Sequence, residues 1–135
     1  MSYFKKSADE AESAFYAAFE NLDLELMRST WLNSDQVYCI HPNGPIQEGL
    51  DVVMQQWAFI FQGAEKPEIN YKVLQRQQFN DSAIHLIEET IGTGESAALI
   101  LVTNIYKNTP EGWRLFAHHA SLPPSGMLPT AGELH

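Results

Sequence analysis

Residues 69–121 are written almost entirely in strand-like runs separated by short turns, and no other feature constrains the fold as much. Ile69, Tyr71 and Val73 alternate with Asn70 and Lys72, and the run continues through two glutamines to Phe79. Asn80-Asp81 turns the chain into SAIHLIEETIG, a loop at 92–96 leads into AALILVTNIY, and residues 108–112 turn it once more into WRLFAHHAS. Four consecutive strands joined by short turns predict an antiparallel meander.

The first half carries a different period. Ser7-Ala8-Asp9-Glu10 fits a capping box, in which hydroxyl and carboxylate each satisfy a backbone N–H at the helix start. Behind it Ala11, Ala14, Phe15, Ala18, Phe19 and Leu22 fall at helical spacing. Asp23 is placed to cap a second short helix carrying Leu24, Met27 and Trp31. QVYCIHP reads as a strand stopped by Pro42, PNGP as turn chemistry, and IQEG as a few extended residues. A third helix opens near Leu50, with Val53, Met54, Trp57, Ile60 and Phe61 on its apolar face and Gly63 at its end. Three helices followed by a sheet predict an α+β architecture with the helices gathered on one face. Residues 1–122 form one domain in this reading. Residues 123–135, rich in Pro and Gly, form a flexible C-terminal tail.

The run at 97–106 departs from alternation. It is apolar on both parities, so both of its faces need cover. Helices cover one face, and a second copy of the sheet is the simplest cover for the other, so a homodimer through the sheet face is expected.

Charge narrows the partners. Eight Lys and Arg stand against seventeen Asp and Glu, a net charge of −9 with no basic cluster, so neither nucleic acid nor a membrane surface is an expected partner. The N-terminus has no apolar core of signal-peptide type and no run approaches membrane-spanning length, which makes a cytoplasmic protein the expectation. The single Cys39 lies among Val37, Tyr38 and Ile40 and reads as a buried thiol.

The order of elements resembles the NTF2-like superfamily, an α+β cone whose curved, mainly antiparallel sheet wraps three N-terminal helices. The likeness covers residues 7–121. HPNGPIQEG with Trp57 in the next helix, TNIY ending at Tyr106, and GWRLFAHHAS look like the SnoaL-like branch. EGLD, and the spacing of Trp113, His119 and Ser121, also resemble the association domain of calmodulin-dependent kinase II. The resemblance implies a pocket between helices and sheet, and usually dimers. It implies no single activity, because one cone hosts isomerases, dehydratases, hydrolases and assembly modules. The expected ligand is a small, partly apolar molecule, and no cofactor is expected. Whether the chain is an enzyme or an assembly module is left open.

Candidate site residues follow from strand parity and side-chain chemistry. His119 shares a parity with Trp113, Leu115, Ala117 and Ser121, and is expected to face the cone interior, with His118 facing outward. His119 is then a proton-transfer group or a core histidine satisfied by a backbone carbonyl, and the same two readings hold for His41 at the end of the first strand. In IEET, Glu88 and Glu89 point oppositely. Glu89 is the candidate base, on the pattern of an acid raised in pKa by apolar walls, unless it pairs at a wet edge. Set against the kinase association domain, Glu89 and Asn104 fall near pocket-lining arginines, which implies a ligand that need not be anionic. Trp57 and Phe61 are expected as an apolar wall, and Tyr38 as a donor to a substrate oxygen. Gln75 reads as a polar wall residue, unless a bulge near Leu74 shifts the register. No metal site is expected: neighbouring strand histidines cannot chelate one ion together, and no His-x-His pair occurs.

Overall fold

The computed structural model describes residues 4–63 and 65–123. Helix α1 (Ala8–Asn21) begins where the capping box predicts: Ser7 Oγ accepts from the Glu10 N–H at 3.1 Å. Glu10 Oε1 closes back on the Lys6 N–H at 3.0 Å. Asp23 caps α2 (Leu24–Thr30) by accepting from the Leu26 N–H at 3.0 Å. Strands β1 (Tyr38–Ile40) and β2 (Ile46–Glu48) precede α3 (Leu50–Gln62), and β3 (Ile69–Gln78), β4 (Ser82–Ile91), β5 (Ala98–Thr109) and β6 (Gly112–Ser121) complete the chain. The expected tail, 123–135, lies outside the described residues except for Pro123.

The six strands form one sheet in the order β2-β1-β6-β5-β4-β3. The meander from β3 to β6 is antiparallel, as expected, while β1 returns to run parallel beside β6. The result is an α+β cone: α1 and α3 lie in the curve of the sheet, and Phe15, Tyr16, Trp57, Ile87, Tyr106 and Leu115 are buried between the layers. No helix among the described residues is long and apolar enough to cross a membrane.

Two bulges decide which side chains face the cone. In β3 the pairing runs Val73 with Ile87 and then Gln75 with Leu86, so Leu74 is an extra residue. In β6 it runs Leu115 with Tyr106 and then Ala117 with Ile105, so Phe116 is extra. One inserted residue exchanges inward and outward parity beyond it, because the side-chain period of a strand is two. Trp113 and Leu115 face inward before the second bulge, and His118 and Ala120 face inward after it. β5 has no such break. Ile100, Val102, Asn104 and Tyr106 are buried, whereas Leu101 is 39% exposed on the outer face.

Candidate functional site

The cone interior contains more polar chemistry than its apolar pattern announces. Glu89 projects inward from β4 and is 2% exposed. The Tyr16 hydroxyl, on α1, donates to Glu89 Oε2 at 2.5 Å. Tyr16 stacks flat on Tyr71, with ring centroids 3.9 Å apart. Burial raises the Glu89 carboxyl from its usual range to about 7, although the Tyr16 hydrogen bond pulls the other way. Burial and the adjacent carboxylate together push the Tyr16 phenol well above its usual value, so it stays a donor.

A second chain of groups runs alongside. His118 Nδ1 lies 2.7 Å from Asn104 Oδ1, and the Asn104 amide donates to the Tyr106 hydroxyl at 3.1 Å. Tyr106 donates in turn to Glu12 Oε2 at 3.2 Å, and His85 Nδ1 lies 2.6 Å from the same oxygen. Asn104 Oδ1 can only accept, so His118 Nδ1 carries hydrogen. Burial, with smaller contributions from His41 and His119, holds His118 down at about 3, so the ring is neutral at physiological pH. His41 is lowered too, by burial. Its ring packs edge-on against Trp57 at 4.8 Å and stands 6.4 Å from His118. The Trp57 indole N–H is buried without an acceptor among the described residues, next to Phe15, Phe61 and these two imidazoles.

Glu89, Asn104, His41, Trp57 and Phe61 therefore share the cone interior. The other expected members do not join them. His119 is exposed on the outer face and His118 takes the inward place, because the bulge at Phe116 reverses the parity that Trp113 and Leu115 set. Gln75 is exposed for the same reason at Leu74. Tyr38 sits on the outer face, its ring against Phe116 and its side chain beside Ile40 and Ile46. Glu12, Tyr16, His85, Tyr106 and His118 are the interior polar residues that parity and periodicity missed. A signal was present for one of them: Tyr16 follows Phe15 on α1 and borders the apolar stripe of that helix.

The space between helices and sheet, where the resemblance implies a pocket, is occupied by Phe15, Tyr16, Trp57 and Tyr106. Among the described residues, surface concavities include five of about 110 to 560 Å³, and none of these five is the cone interior. One of about 300 Å³, on the outer sheet face, is lined by Leu74, Leu86, Leu101, Thr103, His119 and Ser121.

Comparison with known proteins places the chain. A protein from Thiobacillus denitrificans, named as a calcium/calmodulin-dependent protein kinase type II association domain, superposes with a TM-score of 0.84 at 32% identity, covering 90% of this chain and 98% of that one. A protein from Streptomyces avermitilis, named as a dehydratase from the NTF2-like family, superposes with a TM-score of 0.77 at 28% identity, covering 85% and 93%. The F-box protein SKIP8 of Arabidopsis thaliana is 25% identical over 108 residues, which is 80% of this chain and 46% of that protein. The chain thus spans about half the length of that curated relative. The SnoaL-like domain family matches residues 9–125, and with the cone described above this makes the chain a member of the SnoaL-like family of NTF2-like proteins.

Proposed function

We propose that the chain binds a small, partly apolar molecule in its cone and moves a proton on it, with Glu89 as the base and no organic cofactor. One observation carries this reading: a buried carboxyl with a midpoint at about 7, gripped by a phenol and walled by aromatic rings. Such a group is half-ionised near neutral pH, so it takes a proton and returns it within one cycle. The Trp57 N–H, unpaired among the described residues, supports a place for a ligand oxygen in the cone, since a buried donor without an acceptor costs about 1–3 kcal/mol that an oxygen would recover. His118, neutral and anchored on Asn104, offers its second ring nitrogen to the same region. Proton transfer of this kind serves isomerisation or dehydration. The 28% identity to a protein named as a dehydratase agrees with that class.

Because the cone interior is packed, a ligand has to displace aromatic side chains, among which Trp57 stands against both Phe61 and His41. We also propose that two chains pair through the outer sheet face, where Leu74, Leu86 and Leu101 are 50, 37 and 39% exposed side by side.

The packed interior favours a second reading, a binding or assembly module without chemistry, in line with the 32% identity to a protein named as an association domain. Calorimetric titration with planar phenols, which mimic an enolate, separates the two. The first reading predicts binding to the wild type that weakens as pH rises above about 7, where Glu89 ionises, and that persists in Glu89→Gln, the neutral stand-in for the protonated base. Absence of phenol binding, together with assemblies larger than a dimer in solution, overturns it in favour of the module.

A further inference from the structure

A cluster at the rim of the cone shares Glu12 and His85 with the chain of groups that ends at Tyr106. Asp9 and Glu12 stand three residues apart on α1, so their carboxylates share one helix face, and His85 of β4 projects against them. One ligand atom from each residue lies within 4.8 Å of the others. Glu12 accepts from His85 Nδ1 at 2.6 Å. A carboxylate only accepts, so a hydrogen sits on Nδ1, and Nε2 is the ring nitrogen left to face away from Glu12.

That Nε2 is the unusual atom. The His85 side chain is 3% exposed, yet Nε2 has no hydrogen-bond partner among the described residues. Asp9 Oδ1 stands 4.0 Å from it. It borders a concavity of about 110 Å³ that Asp9, Arg76, Gln77 and Gln78 also line. A ring nitrogen on a buried side chain, facing a carboxylate across a small solvent-lined opening, is suited to hold a cation. Tetrahedral ligands at about 2.0–2.1 Å from one ion stand roughly 3.4 Å apart, so exposed Asp9 needs to swing by less than about 1 Å.

We infer that Asp9, Glu12 and His85 form a site for a divalent first-row transition ion, Zn²⁺ above all. His85 Nε2 and the Asp9 carboxylate bind the ion directly. Glu12 fixes the ring from behind, the arrangement in which a carboxylate orients a metal-ligating histidine, and its charge helps to balance the dication. Imidazole with carboxylate suits zinc and its neighbours better than calcium or magnesium. The remaining coordination positions open toward Gln77 and Gln78.

Arg76 opposes the ion. Its Nε pairs with Asp9 Oδ1 at 2.9 Å, and both side chains are more than half exposed. An exposed pair of this kind is weak and must be displaced on binding, which supplies a diagnostic.

The test is calorimetric titration of the tag-free, EDTA-treated full chain with Zn²⁺, with Co²⁺ absorption as a second probe. One ion per chain is expected, with visible Co²⁺ bands of a low-symmetry nitrogen–oxygen site. Asp9→Asn, an exposed change that leaves the fold intact by circular dichroism, should weaken binding by about tenfold or more. Arg76→Gln should tighten it several-fold. No binding below about 1 mM Zn²⁺ overturns the site. So does binding that Asp9→Asn leaves unchanged, because the ion is then held elsewhere.

Discussion

Glu89 and His118 should impose opposite pH dependences on stability, and replacing either one should uncover the other. Glu89 titrates at about 7 in the fold against a usual 4.5, so between those values the folded chain holds a proton that the unfolded chain has released. Its stabilising contribution is complete below 4.5 and is lost as pH rises through 7, at about 1.4 kcal/mol per pH unit and about 3 kcal/mol in all. His118 titrates at about 3 against a usual 6.5, so there the unfolded chain holds the extra proton. Its contribution is complete above 6.5 and is lost as pH falls toward 3, with the same slope and the opposite sign. From pH 4.5 to 6.5 the two slopes cancel in the wild type. Glu89→Gln keeps an acceptor for Tyr16 and removes the titration. The stability of this variant should climb by at least about 1.4 kcal/mol per pH unit across that window, since His41, also lowered by burial, adds a slope of the same sign. Relative to wild type it should gain about 3 kcal/mol between pH 4 and pH 8. Urea unfolding of both proteins at pH 4, 5, 6, 7 and 8 reads this directly, and every other titrating group, His41 included, drops out of the difference. A difference that stays constant within about 0.5 kcal/mol from pH 4 to 8 would refute the assignment of Glu89 as a buried, late-titrating carboxyl.

Three further outcomes follow from the geometry. His118→Gln should cost about 2 kcal/mol in urea unfolding by loosening the Asn104 bond, while exposed His119→Gln should change stability by less than about 0.5 kcal/mol; the reverse ranking would remove the β6 bulge. Gly112 has φ +103°, and a Cβ there would meet the Lys5 backbone at 2.8–2.9 Å, so Gly112→Ala should lower stability by about 1–3 kcal/mol by thermal or urea unfolding. Leu101→Lys on the outer sheet face should convert dimers to monomers by light scattering; a monomeric wild type would contradict the proposed pairing.

Local chemistry made most of the architecture legible in advance. Ser7 and Asp23 start their helices because their side chains satisfy N–H groups that nothing else reaches. The turns at Asn80-Asp81 and before Gly112 space the meander. Side-chain direction was legible only as far as the first bulge in each strand. Nothing in the spacing of WRLFAHHAS marks Phe116 as an inserted residue, so parity carried from Trp113 and Leu115 selects His119 when the fold selects His118. Gln75 differs in that Leu74, apolar on the wrong parity, did signal a possible shift. The interior polar network was hidden for another reason. Glu12 reads as the wet face of an amphipathic helix, and β4 is apolar on both parities, so neither Glu12 nor His85 declares itself until the helix is laid on the sheet.

The central claim is that Glu89 is an acid–base group within reach of a ligand. Carbon-13 NMR of glutamate-labelled chain, with the Glu89 carboxyl resonance assigned by Glu89→Gln, measures it most directly when titrated with and without a planar phenol. The account predicts a midpoint at about 7 that moves when the phenol binds. A midpoint in the ordinary carboxylate range, unchanged by any phenol, would contradict it and leave the cone a structural core.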